Sequence, residues 1–357
     1  MTLNTISEEP YLKLREFLDR FPIGYPKTSS GIEIKILKRL FTEQEARIAL
    51  YLTPIPEKVS RIARRAGFER KDMEDILDSM SRKGLIFRVQ RGGYILYNSA
   101  PFMIGLYEYS VNKIDEELAK MFKEYYDEAM MNEMGASNVP GFKVLPVDET
   151  IEIKTVLYPY HKLKESIQNA RKISVYDCIC RKEAKLTGEG CNHPINNCLS
   201  FGAAAEYYIE NGVGREISPQ EAIQIIEEAD KSGLIHASVN SKHLSNICNC
   251  CPCCCASMKG ITKKGLDKHK FLNAIFESII DKDLCIGCGN CVERCPVQAI
   301  SLEDIAMVNR DSCLGCGLCA SACPEDAITL ELRKDREEPY NRVIELGKAI
   351  LDGKKIK

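Results

Sequence analysis

Residues 285–296 read Cys285-Ile286-Gly287-Cys288-Gly289-Asn290-Cys291-Val292-Glu293-Arg294-Cys295-Pro296. Residues 313–324 read Cys313-Leu314-Gly315-Cys316-Gly317-Leu318-Cys319-Ala320-Ser321-Ala322-Cys323-Pro324. Both carry the pattern C-x2-C-x2-C-x3-C-P, offset by 28 residues. The spacing has a physical reason. Three cysteines with two residues between each pair let one tight loop wrap three corners of a metal cluster, and the fourth follows once the loop has turned into a short helix. Zinc ribbons instead pair two C-x2-C knuckles across a longer gap. Eight cysteines in this doubled run argue against a zinc ribbon and against a disulfide framework.

The doubled motif resembles the two-cluster bacterial ferredoxins, over about residues 280–332. The resemblance implies two [4Fe–4S] clusters. In that family the fourth cysteine of each run serves the other cluster. The implied ligand sets are Cys285, Cys288, Cys291 and Cys323 for one cluster, and Cys313, Cys316, Cys319 and Cys295 for the other. Gly287, Gly289, Gly315 and Gly317 relieve steric limits where the backbone bends close to inorganic sulfur. The expected C-terminal fold is ferredoxin-like, over residues 266–335.

Working outward, a chain of 357 residues is long enough for two or three domains. Lys and Arg number 49 against 51 Asp and Glu, a net charge of −2, so bulk charge names no partner. No apolar run reaches the ~18 residues needed to span a bilayer, and the opening residues lack the basic-then-apolar order of a secretory signal. All 18 cysteines fall between Cys178 and Cys323. Clustered cysteines without an export signal read as metal ligands kept reduced in the cytoplasm. Clusters of this kind are commonly oxygen-sensitive, which points to an anaerobic host.

The expected class is multidomain α+β. Residues 1–30 form an N-terminal arm, with Tyr11, Leu14, Leu18 and Phe21 at helical spacing before Pro22, Gly24 and Pro26 break the pattern. Residues 31–98 have the order helix–turn–helix–hairpin. Helices are expected over 32–41, 43–51 and 70–83, with Val59, Ile62 and Ala63 facing inward before a stop at Gly67. A hairpin turning at Gly92-Gly93 follows. This order resembles the winged helix–turn–helix domains of bacterial and archaeal regulators. The helix in the recognition position carries Asp72, Glu74, Asp75 and Asp78 against Arg70 and Lys71. Such a face repels phosphate. Residues 57–91 hold ten basic and six acidic side chains, net +4, so DNA binding stays open, but protein contact is favoured. A helical connector and linker covers 99–141, with a long helix expected over 115–134 and a break at Gly135–Gly141.

The central region, 142–265, is read as an α/β cysteine-rich metal-binding domain holding the other ten cysteines. A strand at 172–177 runs into Cys178, Cys180 and Arg181, followed by Cys191, His193 and Cys198. Helices are expected at 203–211 and at 219–233, the latter capped by Ser218. A second strand, 234–240, leads toward Cys248, Cys250, Cys251, Cys253, Cys254 and Cys255. Each strand thus delivers cysteines at its end, and the two clusters are expected to meet. Cys178, Cys180, Cys191 and Cys198 suffice for one four-thiolate site, and the second cluster supplies most of another. Adjacent cysteines tend to point apart, which would separate 250 from 251 and 253 from 254. Thiolate-rich, histidine-poor surroundings suit iron–sulfur clusters or zinc. At least one further [4Fe–4S] cluster is favoured over zinc, and a thiol or persulfide site is the remaining reading. His193, His236 and His243 are candidate supporting donors. The cysteine pattern resembles a group of ferredoxin-domain proteins of anaerobic bacteria and archaea, which implies metal binding and little more.

A basic linker (263–270), a short helix (271–280) and a C-terminal helical tail (336–357) complete the chain. From residue 281 to 331 there are nine acids and three basic residues, net −6, a face suited to a basic partner. Neither G-x-G-x-x-G after a strand nor G-x4-G-K-[ST] occurs. Three functions of different class follow. The first is an iron–sulfur electron-transfer protein serving a partner oxidoreductase. The second is a redox-responsive winged-helix regulator. The third is a reductase with its catalytic centre at the central cysteines.

Overall fold

The computed structural model describes residues 7–146 and 163–355. The first six residues of the expected arm, residues 147–162 of the expected central region and residues 356–357 of the tail lie outside them. The chain is mixed α/β and forms two compact units. Unit 1 is Met1–Glu133 with Ile179–Gly190 and Glu206–Arg215, and unit 2 is Met134–Cys178 with Cys191–Ala205 and Glu216–Lys357.

In unit 1, helices Glu9–Leu18, Ile32–Leu40, Glu43–Ala49, Val59–Ala66 and Arg70–Arg82 accompany a three-stranded antiparallel sheet. The third helix starts at a capping box. The Thr42 hydroxyl accepts from Glu45 N–H at 3.3 Å, and the Glu45 carboxylate accepts from Thr42 N–H at 2.9 Å. Strands Ile86–Arg91 and Tyr94–Ser99 form a hairpin, and Glu57–Lys58 pairs with the outer side of the second strand. Gly92 and Gly93 turn the hairpin with φ of 55° and 76°, a conformation that side chains with a Cβ resist. Helix Glu116–Tyr125 continues through one π turn, Tyr126–Met130, into Met131–Met134. Met130, at the end of that turn, is fully buried. Tyr25, Phe102, Tyr107, Phe122, Tyr125 and Tyr126 form an aromatic core, with ring centroids 4.7 Å apart for Tyr25–Tyr125 and 5.1 Å for Tyr107–Phe122.

Unit 2 is built on a seven-stranded sheet. Its central strands are Phe142–Val144, Ile235–Val239, Asn246–Cys250, Asn196–Phe201 and Ile173–Asp177, each antiparallel to the next. Strand alternation divides the sheet into two unlike faces. One face carries Ile173, Val175, Leu199, Phe201 and Ile247. It packs on helix Pro219–Lys231 through Ala222 and Ile226, and on helix Leu163–Gln168 through Leu163 and Ile167. Ser218 caps the longer helix by accepting from Glu221 N–H at 3.1 Å. The opposite face carries Ser174, Tyr176, Cys198, Ser200, Cys248 and Cys250. Its Ser174 and Ser200 hydroxyls are bonded at 2.7 Å.

The short helix expected at 271–280 is instead two strands. Leu272–Asn273 pairs in parallel with Phe142–Val144 at the sheet edge, and Phe276–Ile280 pairs antiparallel with Ile328–Leu332. A short apolar run cannot declare its period, and long-range pairing decides it. Strand Asn196–Phe201 pairs on both sides, with Asn246–Cys250 and with Ile173–Asp177. Among the described residues, no helix is long and apolar enough to cross a membrane.

Candidate metal centres

The doubled motif folds as two halves with the same local features. Each loop of three cysteines runs into a short helix, Asn290–Arg294 or Leu318–Ser321. The fourth cysteine then accepts a backbone N–H four residues on: Ala299 to Cys295 Sγ at 3.1 Å, and Ala327 to Cys323 Sγ at 3.3 Å. Gln298 and Asp326, three residues after those cysteines, share a positive φ of 54° and 49°. Two cavities result. One is ringed by Cys285, Cys288, Cys291 and Cys323, the other by Cys295, Cys313, Cys316 and Cys319. Each cavity thus takes three thiols from one loop and one from the other half. A closed set of four thiols with N–H donors aimed at sulfur fits a four-thiolate cluster.

The two cavities differ in surroundings. Ile286 and Leu284 beside the first are 64% and 50% exposed, and Cys288 is exposed. Leu314 and Leu318 beside the second are buried. The second also has a hydroxyl, Ser278, whose Oγ is 3.2 Å from Cys319 Sγ and accepts from the Cys313 thiol at 3.8 Å. Burial pushes the Cys319 thiol up to about 12, with the neighbouring Cys313 and Cys295 adding to the rise. Gly315 turns beneath it: a Cβ there would lie 2.0 Å from the Phe276 carbonyl oxygen. Lys268 Nζ donates to the Cys313 carbonyl at 2.6 Å. Arg294 Nη1 donates to the Lys231 carbonyl at 2.8 Å, seating the module on the end of helix Pro219–Lys231. A groove of about 560 Å³ opens next to Cys323, lined by Lys164, Glu227, Asp230, Lys231 and Asp326.

The central cysteines fall into two groups in unit 2. Cys191, Cys251, Cys253 and Cys254 place all four Sγ atoms within 4.8 Å of one another. Cys191 Sγ is 3.5 Å from Cys254 Sγ and 4.0 Å from Cys251 Sγ. Burial pushes the Cys253 thiol up to about 12, with Cys251 and Cys191 beside it, and hydrogen bonding to Cys251 raises Cys254. The second group is a row on the sheet face. Cys198 bonds to Cys178 and Cys248, Cys248 to Cys250, and Cys250 to Cys255. Donation from Cys198 and Cys250 holds Cys248 well below the ordinary thiol range, and its neighbours Cys198 and Cys250 are raised. The Leu199–Ile247 register places Cys198 directly across from Cys248, which explains the row. Asn246 Nδ2 lies 3.5 Å from Cys248 Sγ.

This grouping departs from the one expected from linear spacing. Cys191 joins the 251–254 turn rather than Cys178 and Cys198. Cys250 and Cys251 diverge as expected, but Cys253 and Cys254 converge, because a tight turn after Pro252 replaces extended chain there. Cys180 lies on helix Ile179–Leu186 in unit 1, where its charge adds to the rise of the buried Tyr107 hydroxyl. His236 sits on the sheet face opposite Cys248. Its Nδ1 is 2.6 Å from Asn249 Oδ1, and burial lowers its pKa. Sequence reasoning missed Ser278 and Asn246. Asn246 lies two residues before Cys248 and Ser278 lies 41 residues before Cys319, and neither carries a signal until the strand register is known.

Residues 278–330 match the family model described as a 4Fe-4S dicluster domain. Over 25 residues the chain is 60% identical to a "Probable ferredoxin" of Methanosarcina thermophila, which covers 7% of this chain and 43% of that protein. The chain thus spans less than half the length of this curated relative. No solved structure matches the chain. Residues 278–330 form a ferredoxin-type iron–sulfur domain.

Proposed function

We propose that the protein is a one-electron carrier whose ferredoxin domain exchanges electrons with a partner oxidoreductase. The observation that carries this reading is the pair of cavities, each ringed by four cysteines drawn from both halves of the motif. Cys285, Cys288, Cys291 and Cys323 would hold one [4Fe–4S] cluster, and Cys295, Cys313, Cys316 and Cys319 the other. Bound there, such clusters supply one-electron redox chemistry with no bond made to a substrate. The chain's own residues set the conditions: N–H donors from Ala299 and Ala327, a hydroxyl from Ser278, and opposite degrees of burial. The exposed loop at Leu284 and Ile286, on an acidic module, is the docking face for a basic partner in a reducing cytoplasm.

Further metal is assigned to the central cysteines, the row Cys178, Cys198, Cys248, Cys250 and Cys255 among them. Residues 31–98 are read as a winged-helix-like module used for protein contact. Much of its positive charge is already engaged: Arg65 with Glu57, Arg82 with Asp78, Lys83 with Glu45 and Arg88 with Glu210. Paired cations do little to draw phosphate. The linear modules are an arm (1–30), this domain (31–98), a connector (99–141), the cysteine-rich domain (142–265), the ferredoxin domain (266–335) and a tail (336–357).

The test is anaerobic purification, iron and sulfide analysis, and electron paramagnetic resonance of the reduced protein. Two coupled cluster signals, lost with Cys288→Ser or Cys316→Ser, are expected. Eight cysteines binding zinc without sulfide would overturn the reading. A gel shift that prefers one duplex over random DNA would favour the regulator instead.

A further inference from the structure

The four thiols of Cys191, Cys251, Cys253 and Cys254 are set at a spacing that discriminates between kinds of metal centre. A single tetrahedral ion with metal–sulfur bonds of about 2.3 Å needs its sulfurs about 3.8 Å apart. A cubane puts each thiolate on a different iron, so the sulfurs radiate from separate corners and stand on the order of 6 Å apart. Here Cys191 Sγ stands 3.5 Å from Cys254 Sγ and 4.0 Å from Cys251 Sγ, and none of the six separations exceeds 4.8 Å.

The same structure supplies its own ruler. Among the described residues, no other group of three or more Cys, His, Asp or Glu side chains brings its donor atoms within that limit. The two sets of four cysteines in the ferredoxin domain are therefore wider, as a cube between them requires. The central set is compact because of topology. Strands Asn196–Phe201 and Asn246–Cys250 are antiparallel neighbours, so the approach to the first and the exit from the second lie at one end of the sheet. Cys191 sits on the approach and the 251–254 turn on the exit. Cys251 and Cys254 are buried, at 1% and 4% exposure. Four thiolates leave no open position, the arrangement of a structural rather than a catalytic site.

We infer that Cys191, Cys251, Cys253 and Cys254 bind one tetrahedral thiophilic divalent ion, Zn2+ or a single Fe2+, that clamps the two strand ends together. The inference deepens the proposed function, since it assigns part of the central metal. It also separates this set from the five-cysteine row on the sheet face.

The experiment compares the full-length protein with the double variant Cys253→Ser/Cys254→Ser, both purified anaerobically, for zinc, iron and acid-labile sulfide. The variant is expected to lose one equivalent of zinc, or one of iron, with sulfide unchanged. Loss of about four irons together with four sulfides would mean a cubane and overturn the inference. No change in metal would overturn it as well. Should the variant fail to fold, X-ray absorption at the zinc edge and Mössbauer spectroscopy of the unmodified protein decide the matter. Four sulfurs at about 2.3 Å around zinc, or a mononuclear tetrathiolate iron signal, sustain the inference, and the absence of both sinks it. The iron and sulfide of the ferredoxin domain are read in the same samples. Their loss in the unmodified protein would sink the electron-carrier reading without touching this one.

Discussion

Ile286 and Leu314 hold the same place in the two halves of the doubled motif, each directly after the first cysteine, yet Ile286 is 64% exposed and Leu314 is 1% exposed. The backbone repeats and the environment does not. One cavity faces solvent and the other is walled in by its own unit. In the proposed carrier this gives an outer and an inner site, and a partner would approach the outer one.

This asymmetry predicts how the iron is lost. On exposure to a chelator or to air, the domain should bleach in two phases of equal iron content. The site of Cys285, Cys288, Cys291 and Cys323 should go first. Leu314→Ala should speed the second phase, and Ile286→Ala should leave it alone. Time-resolved iron release checks this, and a single phase would refute it.

Ser278 lies against two thiols of the inner site and none of the outer. A hydroxyl donating to sulfur favours the reduced, more negative state. Ser278→Ala should lower the inner potential. A hydrogen bond to a charged group is worth about 1.5–3 kcal/mol, so the fall should lie between about 60 and 130 mV at most for one electron. Redox titration followed by paramagnetic resonance reads the change. An equal shift at both sites would show that the serine acts through something else.

Gly315 has φ of 63°, and its missing Cβ would stand 2.0 Å from the Phe276 carbonyl oxygen. Gly315→Ala combines left-handed strain with a backbone clash, a cost of roughly 3 kcal/mol or more. Reduced iron content and a lower Tm are expected. Gly212, with φ of 64° and nothing within 4 Å of where a Cβ would stand, should tolerate alanine at about 1 kcal/mol.

Lys143 is 2% exposed in the strand beside Ser238, and burial lowers its pKa to about 8. The unfolded chain holds the proton more tightly than the folded one. Stability should therefore rise as pH goes from about 8 toward 10.5, with a full range of at most about 3 kcal/mol. Below pH 8 the penalty is fully present. Lys143→Met should flatten that part of the pH–stability profile, which denaturant titration at several pH values will show.

Much of this was legible in the sequence. The doubled cysteine run fixes its module through ligand spacing alone, and the Thr42–Glu45 box and Gly92-Gly93 announce a helix start and a hairpin by local chemistry. What stayed hidden depends on contacts distant in sequence. Phe276–Ile280 has no strand signature until Ile328–Leu332 lies beside it. Cys191 has no reason to join Cys254, 63 residues on, until two strands are known to be antiparallel neighbours. Residues 179–190 and 206–215 return to unit 1, and a chain that doubles back leaves no mark in composition or periodicity.

The link between sheet and ferredoxin domain is two residues long. Edge strand Leu272–Asn273 gives way to Ala274 and Ile275, both buried, and then to Phe276–Ile280. A swinging carrier domain needs a slack tether, and this one has none. In the proposed carrier, the tunnelling distance from the inner cluster to any centre on the cysteine face of that sheet would be a fixed length. The rate of internal transfer would then follow driving force and temperature, and would be indifferent to the viscosity of the solvent.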